Sequence, residues 1–198
     1  TGLGLADRNS VAGVVRAWSA LKQLRKEGLS PPDIVRNGGG PGEVTCVDDP
    51  LSDPALSEMV KDRAASFKLA TGARLVFNDG TPDIIAYPET RAGWGRLTRL
   101  LTLGNRRAAK GHCDIGLRDL LAASEDLLLI VMPEHRTGGG IEATLASLVE
   151  MTPAGVWLGA VMGRSGDDRR RLLRLKSLAQ RHDVPLLAVN DVLYHDPV

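Results

Sequence analysis

The residues best suited to chemistry lie at the end of the chain. In LLAVNDVLYHDP (186–197) an apolar run stops abruptly at Asn190 and Asp191, and His195 and Asp196 follow within a few residues. Carboxylates and imidazoles at the end of a buried strand are the donors of a hydrolytic metal site, in which each cation gathers about four to six ligands. The same residues also make an ordinary turn. Asp7 is a second carboxylate in a comparable place, directly after the short apolar run LGLA (3–6). The histidine supply argues against a multinuclear centre, because His112, His135, His182 and His195 are the only four in the chain. His182 sits near the end of a helical stretch, where a cation complements the dipole. His112 and His135 fall in loops, neither with a second ligand at a telling spacing, and His195 lies in what reads as a solvated turn.

Other chemistries find less support. Cys113 adjoins His112, but neighbours in sequence rarely point at one another productively, so no nucleophile–base pair is indicated. The triple glycines at 38–40 and 138–140 lack the Lys-Ser/Thr of a phosphate loop and the spaced glycines of a dinucleotide fingerprint, and read as loops. Local basicity is more informative. Between Arg91 and Cys113 stand Arg91, Arg96, Arg99, Arg106, Arg107 and Lys110 with no acid among them. Arg96, Arg99, Arg106, Arg107 and Lys110 form a candidate contact for nucleic acid or for another domain; a solvated basic loop is the equal alternative. The arginines of the stretch from Asp167 belong to an ordinary amphipathic helix whose buried stripe is expected to be Leu172, Leu173, Leu175 and Leu178.

The elements that must position these residues alternate between two periods. LGLA (3–6) reads as a buried strand, and SVAGVVRAWSALKQLRK (10–26) as a helix capped by Ser10. A Gly/Pro-rich stretch over 27–54, including NGGGPG, reads as a surface insertion, followed by an added helix over 55–70. ARLVF and DIIAYP flank NDGT (78–81), where Asp79-Gly80 predicts a hairpin. Helices are expected around 91–103, 117–124, 141–150 and 167–182, with strands at 127–132, 155–162 and 185–189. The run LLLIVM (127–132) is apolar throughout, as befits a strand covered on both faces. Alternating strands and helices predict a parallel α/β sheet or barrel interrupted by one hairpin, with chemistry at the C-terminal strand ends. Were the first and last strands neighbours in a nearly closed barrel, Asp7 and Asp191 would share one mouth.

Composition bounds the class. The chain has 198 residues, 43% hydrophobic and 25% charged, with a formal net charge of +1. That allows one domain, or one and a half, and no global attraction to nucleic acid or membrane. No apolar run approaches the ~20 residues that span a bilayer. The two cysteines, Cys46 and Cys113, lie far apart, which indicates neither a disulfide framework nor a thiolate zinc site and fits a reducing, cytoplasmic setting. The chain opens at Thr1 directly into an apolar stretch and stops just after a strand-like one, so it is expected to be a piece of a longer protein.

Three segments carry a resemblance. GLGLADRNSVAGVVRAW, AYPETRAGWGRLTRLLTLGNRRAAKGHCDIGLRDLLA and RHDVPLLAVNDVLYHDP resemble the N-terminal PHP (polymerase and histidinol phosphatase) domain of bacterial C-family DNA polymerases, and more narrowly their error-prone branch. The resemblance runs from Thr1 to about Lys26 and from about Ala70 to the end, without covering 27–69. It implies a PHP domain fragment over 1–198 with the fold of a distorted, TIM-like (β/α)7 barrel, whose first strand, bearing a His-x-His motif, lies upstream of Thr1. It also implies degeneration of the metal site. Where intact members carry Thr-Asp-His this chain has Ala6, Asp7 and Arg8; where they carry Asn-Asp-x-His it has Asn190, Asp191, Val192 and Leu193. A family glutamate falls on Arg74 and a cysteine ligand near Pro133. Asp7 and Asp191 would then be remnants of a metal site in which arginines, permanently charged, oppose a cation.

The resemblance further implies a parent DNA-directed DNA polymerase, a cytoplasmic nucleotidyltransferase of DNA repair and replication acting in damage-induced translesion synthesis. Mg²⁺ and DNA would belong to that parent. In this stretch the expected role is a structural scaffold docked on the polymerase body of the same chain, with no cofactor and no membrane partner. The alternative is an active phosphoesterase or 3′–5′ proofreading nuclease of the PHP superfamily. It would need Zn²⁺ or Mn²⁺ and replacement ligands from His112, His135 or His195.

Overall fold

A computed structural model of the chain describes residues 2–28, 54–133, 140–152, 155–163 and 166–190. Asp191, His195 and His135, and most of the Gly/Pro-rich stretch, lie outside the described residues. The elements run β1 (Gly2–Arg8), α1 (Gly13–Glu27), α2 (Pro54–Ser66), β2 (Lys68–Leu75), β3 (Ile84–Pro88), α3 (Arg91–Arg107), α4 (Leu117–Leu121), β4 (Leu127–Val131), α5 (Gly140–Met151), β5 (Val156–Ala160), α6 (Asp168–Arg181) and β6 (Leu186–Ala188). The architecture is mixed α/β, as expected. The chain divides into two compact units, Thr1–Gly4 with Ala12–Ala70, and Leu5–Val11 with Thr71–Val198.

In the first unit, α1 packs on α2, with Leu21 and Ala64 buried. The last carbonyls of a helix have no partner within it. Arg25 supplies one, donating from Nε to the Ala64 carbonyl at 2.8 Å and from Nη2 to the Phe67 carbonyl at 2.7 Å. Its guanidinium also lies 5.8 Å from the centre of the Trp18 ring, a cation–π distance. Two expectations are corrected here. The residue before α1 is Ala12, so the helix begins at Gly13 rather than at Ser10. The helix expected over 55–70 ends at Ser66, and Lys68–Ala70 are strand.

Six strands form one sheet in the order β1-β2-β3-β4-β5-β6. The hairpin predicted at Asp79-Gly80 is present: β2 and β3 are antiparallel with Ala73 opposite Ala86 and Leu75 opposite Ile84. Gly80 turns at φ +83°, a region open to glycine. Because β3 returns against β2, it also runs antiparallel to β4, while β4, β5 and β6 are mutually parallel. Among the described residues, β1 and β6 stand at the two ends of this order. Strand residues alternate between faces. One set, including Leu75, Ile84, Leu129, Val131 and Leu158, forms the main core with Leu97, Leu100, Leu120, Leu145, Leu148 and Leu175 from the helices. The opposite face carries a smaller cluster of Ile85, Ile130 and Met132, against which Ala6, Tyr87, Trp157 and Val189 pack. The stripe expected on α6 is narrower than predicted. Leu175 and Leu178 are buried, but Leu172 and Leu173 are 40% and 60% exposed.

Candidate functional site

The ends of β1 and β2 and the C-terminal part of α3 surround a cleft of about 660 Å³ lined by Arg8, Asn9, Asn78, Asn105, Lys110 and His112, among others. Asn9 builds its first wall. It sits in the left-handed region at φ 46°, which asparagine tolerates better than most residues. Its backbone N–H donates to the Arg74 carbonyl at 2.8 Å. Its side-chain amide then imitates a strand: Oδ1 accepts from the Val76 N–H at 2.8 Å and Nδ2 donates to the Val76 carbonyl at 3.1 Å. Both backbone groups of Val76 are thereby satisfied beyond the end of β2. Sequence reasoning passed over Asn9; the available signal was an asparagine directly after a strand.

The opposite wall is fixed by α3. That helix extends four residues further than the predicted 91–103, so Arg106 and Arg107 are helical rather than part of a loop. Thr90 caps it, accepting from the Gly93 N–H at 3.0 Å. Near its end Gly104 passes so close to the following segment that a Cβ there would lie 2.5 Å from Cys113 Sγ and 2.6 Å from Ile115 Cγ2. Its carbonyl accepts from the Asp114 N–H at 3.0 Å. Asn78 Nδ2 reaches Asp114 Oδ1 at 3.1 Å, tying the hairpin loop to the same segment.

Beyond it, two carboxylates organise the start of α4. Asp79 Oδ2 accepts from the Leu117 N–H at 2.8 Å and Asp119 Oδ2 from the Gly116 N–H at 3.0 Å. For Asp79, desolvation works upward, but bonds from the Thr81 hydroxyl and the Leu117 and Thr81 N–H groups prevail and hold it below its ordinary value. Asp119 is lowered chiefly by its bond from Arg107.

The five basic candidates separate into two groups. Arg96 donates to Asp126 at 2.7 Å and also contacts Glu125, so it anchors α3 to the turn before β4. Arg107 donates to Asp119 at 2.7 Å. Arg99, Arg106 and Lys110 are exposed and form no ion pair among the described residues. Lys110 alone of the five lines the cleft.

The metal-site candidates come together less well. Asp7 is partly buried on β1, and Arg8 beside it is exposed. Arg74 Nε donates to Asp83 at 2.7 Å in a pair whose side chains are 20% and 29% exposed. His112 is exposed, and His182 is the residue that closes α6, its N–H on the Leu178 carbonyl. Among the described residues, no group of three or more His, Cys, Asp or Glu side chains is arranged to hold a metal ion. The Cys113 thiol is pushed up, by burial first and then by the negative charge of Asp114, so it is a poor nucleophile at neutral pH. No helix among the described residues is long and apolar enough to cross a membrane.

Comparison with known proteins completes the description. No family model matches the chain. Three proteins named error-prone DNA polymerase align with nearly all of it. The one from Rhodopseudomonas palustris (strain BisB5) is 42% identical over 196 residues, covering 98% of this chain and 14% of its own length. That from Bradyrhizobium sp. (strain ORS 278) is 40% identical over 203 residues, covering 100% and 14%. That from Brucella abortus biovar 1 (strain 9-941) is 37% identical over 198 residues, covering 100% and 15%. The aligned regions run through 27–69 as well, the stretch that the motif resemblance left out. Over nearly its whole length the chain is thus similar to proteins named error-prone DNA polymerase, of which it spans about one seventh.

Proposed function

We propose that this chain is the PHP region of an error-prone, C-family DNA polymerase and acts as a non-catalytic scaffold with a degenerate metal site. Its fold would be the distorted (β/α)7 barrel of that domain, with its first strand upstream of Thr1. The Gly/Pro-rich stretch 27–54 and α2 would be additions to it. The parent protein would be a cytoplasmic nucleotidyltransferase that uses Mg²⁺ and DNA in damage-induced translesion synthesis, and the polymerase body of the same chain would be the scaffold's partner. The observation that carries the reading is Arg74. It stands where the motif resemblance puts a metal-binding glutamate, and its guanidinium is engaged with Asp83 at 2.7 Å. A fixed cation at a ligand position both removes a donor and repels a divalent ion. Arg8 in place of a ligand histidine adds to this.

The test is metal analysis of the purified chain, followed by incubation with Mn²⁺ or Zn²⁺ on single-stranded DNA and on a phosphate ester. The expected result is far less than one metal ion per chain and no metal-dependent turnover. Near-stoichiometric metal, or turnover that disappears on Asp191→Ala, would overturn the scaffold in favour of an active phosphoesterase or proofreading nuclease.

A further inference from the structure

The cleft bounded by Asn9 and α3 has a charge pattern that the scaffold role does not use. Among the described residues its lining contains two basic side chains, Arg8 and Lys110, together with His112, and no carboxylate. None of these three side chains forms an ion pair among the described residues. The amides present differ in availability. Those of Asn9 and Asn78 are committed to Val76 and Asp114, whereas Asn105 is exposed and has no partner among the described residues. Asp114, the nearest acid along the chain to the cleft's last lining residue, is held by Asn78. The walls are set by the Asn9–Val76 pairing and by the close passage of Gly104 against Cys113 and Ile115. Basic side chains lining a concave, pre-formed surface attract anions more than the chain's net charge of +1 suggests. A volume of about 660 Å³ falls in the range of small-ligand sites and is ample for a mononucleotide.

We propose that this cleft binds the phosphate of a nucleotide, through Arg8 and Lys110 with His112 and Asn105 alongside, and does so without a metal and without cleaving it. Arginine supplies a planar fork for the phosphate oxygens and lysine a mobile point charge. The site is distinct from the outward arginines Arg99 and Arg106 of α3, which do not line the cleft.

The test is calorimetric or NMR titration of the chain with inorganic phosphate, a deoxynucleoside monophosphate, the same deoxynucleoside without phosphate, and a short single-stranded oligonucleotide with and without a 5′-phosphate. The monophosphate is expected to bind at least tenfold more tightly than the nucleoside, and more weakly as salt rises. Arg8→Gln with Lys110→Gln should weaken it tenfold or more, and Arg99→Gln with Arg106→Gln less than twofold, with the far-UV circular dichroism of both variants unchanged. Oligonucleotide binding that depends on the 5′-phosphate and is lost in the Arg8/Lys110 variant would identify a strand end as the source of the phosphate. Equal binding of nucleoside and nucleotide, equal loss in the two double variants, or no binding at millimolar ligand would each refute the site. The metal assay above is read independently, so an active enzyme would not by itself decide this outcome.

Discussion

Asn9 offers the sharpest test of how this molecule is held together, because three substitutions separate its contributions. Asn9→Ala removes both side-chain bonds to Val76 and leaves a side chain with no local bond at φ 46°. Each neutral hydrogen bond contributes about 1 kcal/mol net, and stranding the part-buried Val76 groups makes the loss no smaller. Placing Ala in the left-handed region costs roughly 1 kcal/mol more than Asn. The expected loss is therefore about 2–4 kcal/mol. Asn9→Gly loses the bonds without the strain and should fall roughly 1 kcal/mol short of the alanine value. Asn9→Asp keeps the acceptor for the Val76 N–H but sets a carboxylate against the Val76 carbonyl, for an intermediate loss of about 1–2 kcal/mol.

Urea unfolding measures all three. Asn9 belongs to the second unit, which contains Trp94 and Trp157, whereas Trp18 lies in the first. Trp18 is 53% exposed, so a Trp18→Phe background leaves fluorescence reporting the second unit alone. The midpoint should shift with the slope unchanged. An alanine variant within about 0.5 kcal/mol of the parent, the scatter expected of surface substitutions, would refute the reasoning. A glycine variant less stable than the alanine one would refute it too.

Two further outcomes follow from the same segment. Gly104→Ala would place a Cβ 2.5 Å from Cys113 Sγ, an overpacking expected to cost about 1–3 kcal/mol. Thermal unfolding should register it, while Gly95→Ala on the same helix, with nothing near its Cβ position, should not destabilise. Asp119 is held below its ordinary value chiefly by Arg107, so its contribution to stability is fully present above the unfolded carboxylate value of about 3.9. It is lost as pH falls through the lower folded value. Asp119→Asn should flatten the stability profile over that acid window and leave the slope above pH ~6 unchanged, as read by urea unfolding at stepped pH.

The sequence by itself determined the element order and the class. Strongly apolar runs such as LLLIVM and a glycine-marked hairpin are local signals, set by burial on both faces and by permitted backbone angles. The motifs that carried the family resemblance were equally local, and the relatives named error-prone DNA polymerase at 37–42% identity bear out that branch of it. Only the tertiary structure decided which polar groups are already spent. Arg96 and Arg107 are indistinguishable from Arg99 and Arg106 in a basic run, yet their partners lie 30 and 12 residues away, beyond any periodicity. Leu172 and Leu173 fit the apolar pattern of α6 but remain exposed, because only the face bearing Leu175 and Leu178 meets the core. The cleft is likewise a product of folding, since its walls join residues near 9, 78 and 110. Asp7 stayed legible as a strand-end carboxylate. The pairing of Arg74 with Asp83, nine residues apart, depends instead on the hairpin that brings the two charges together.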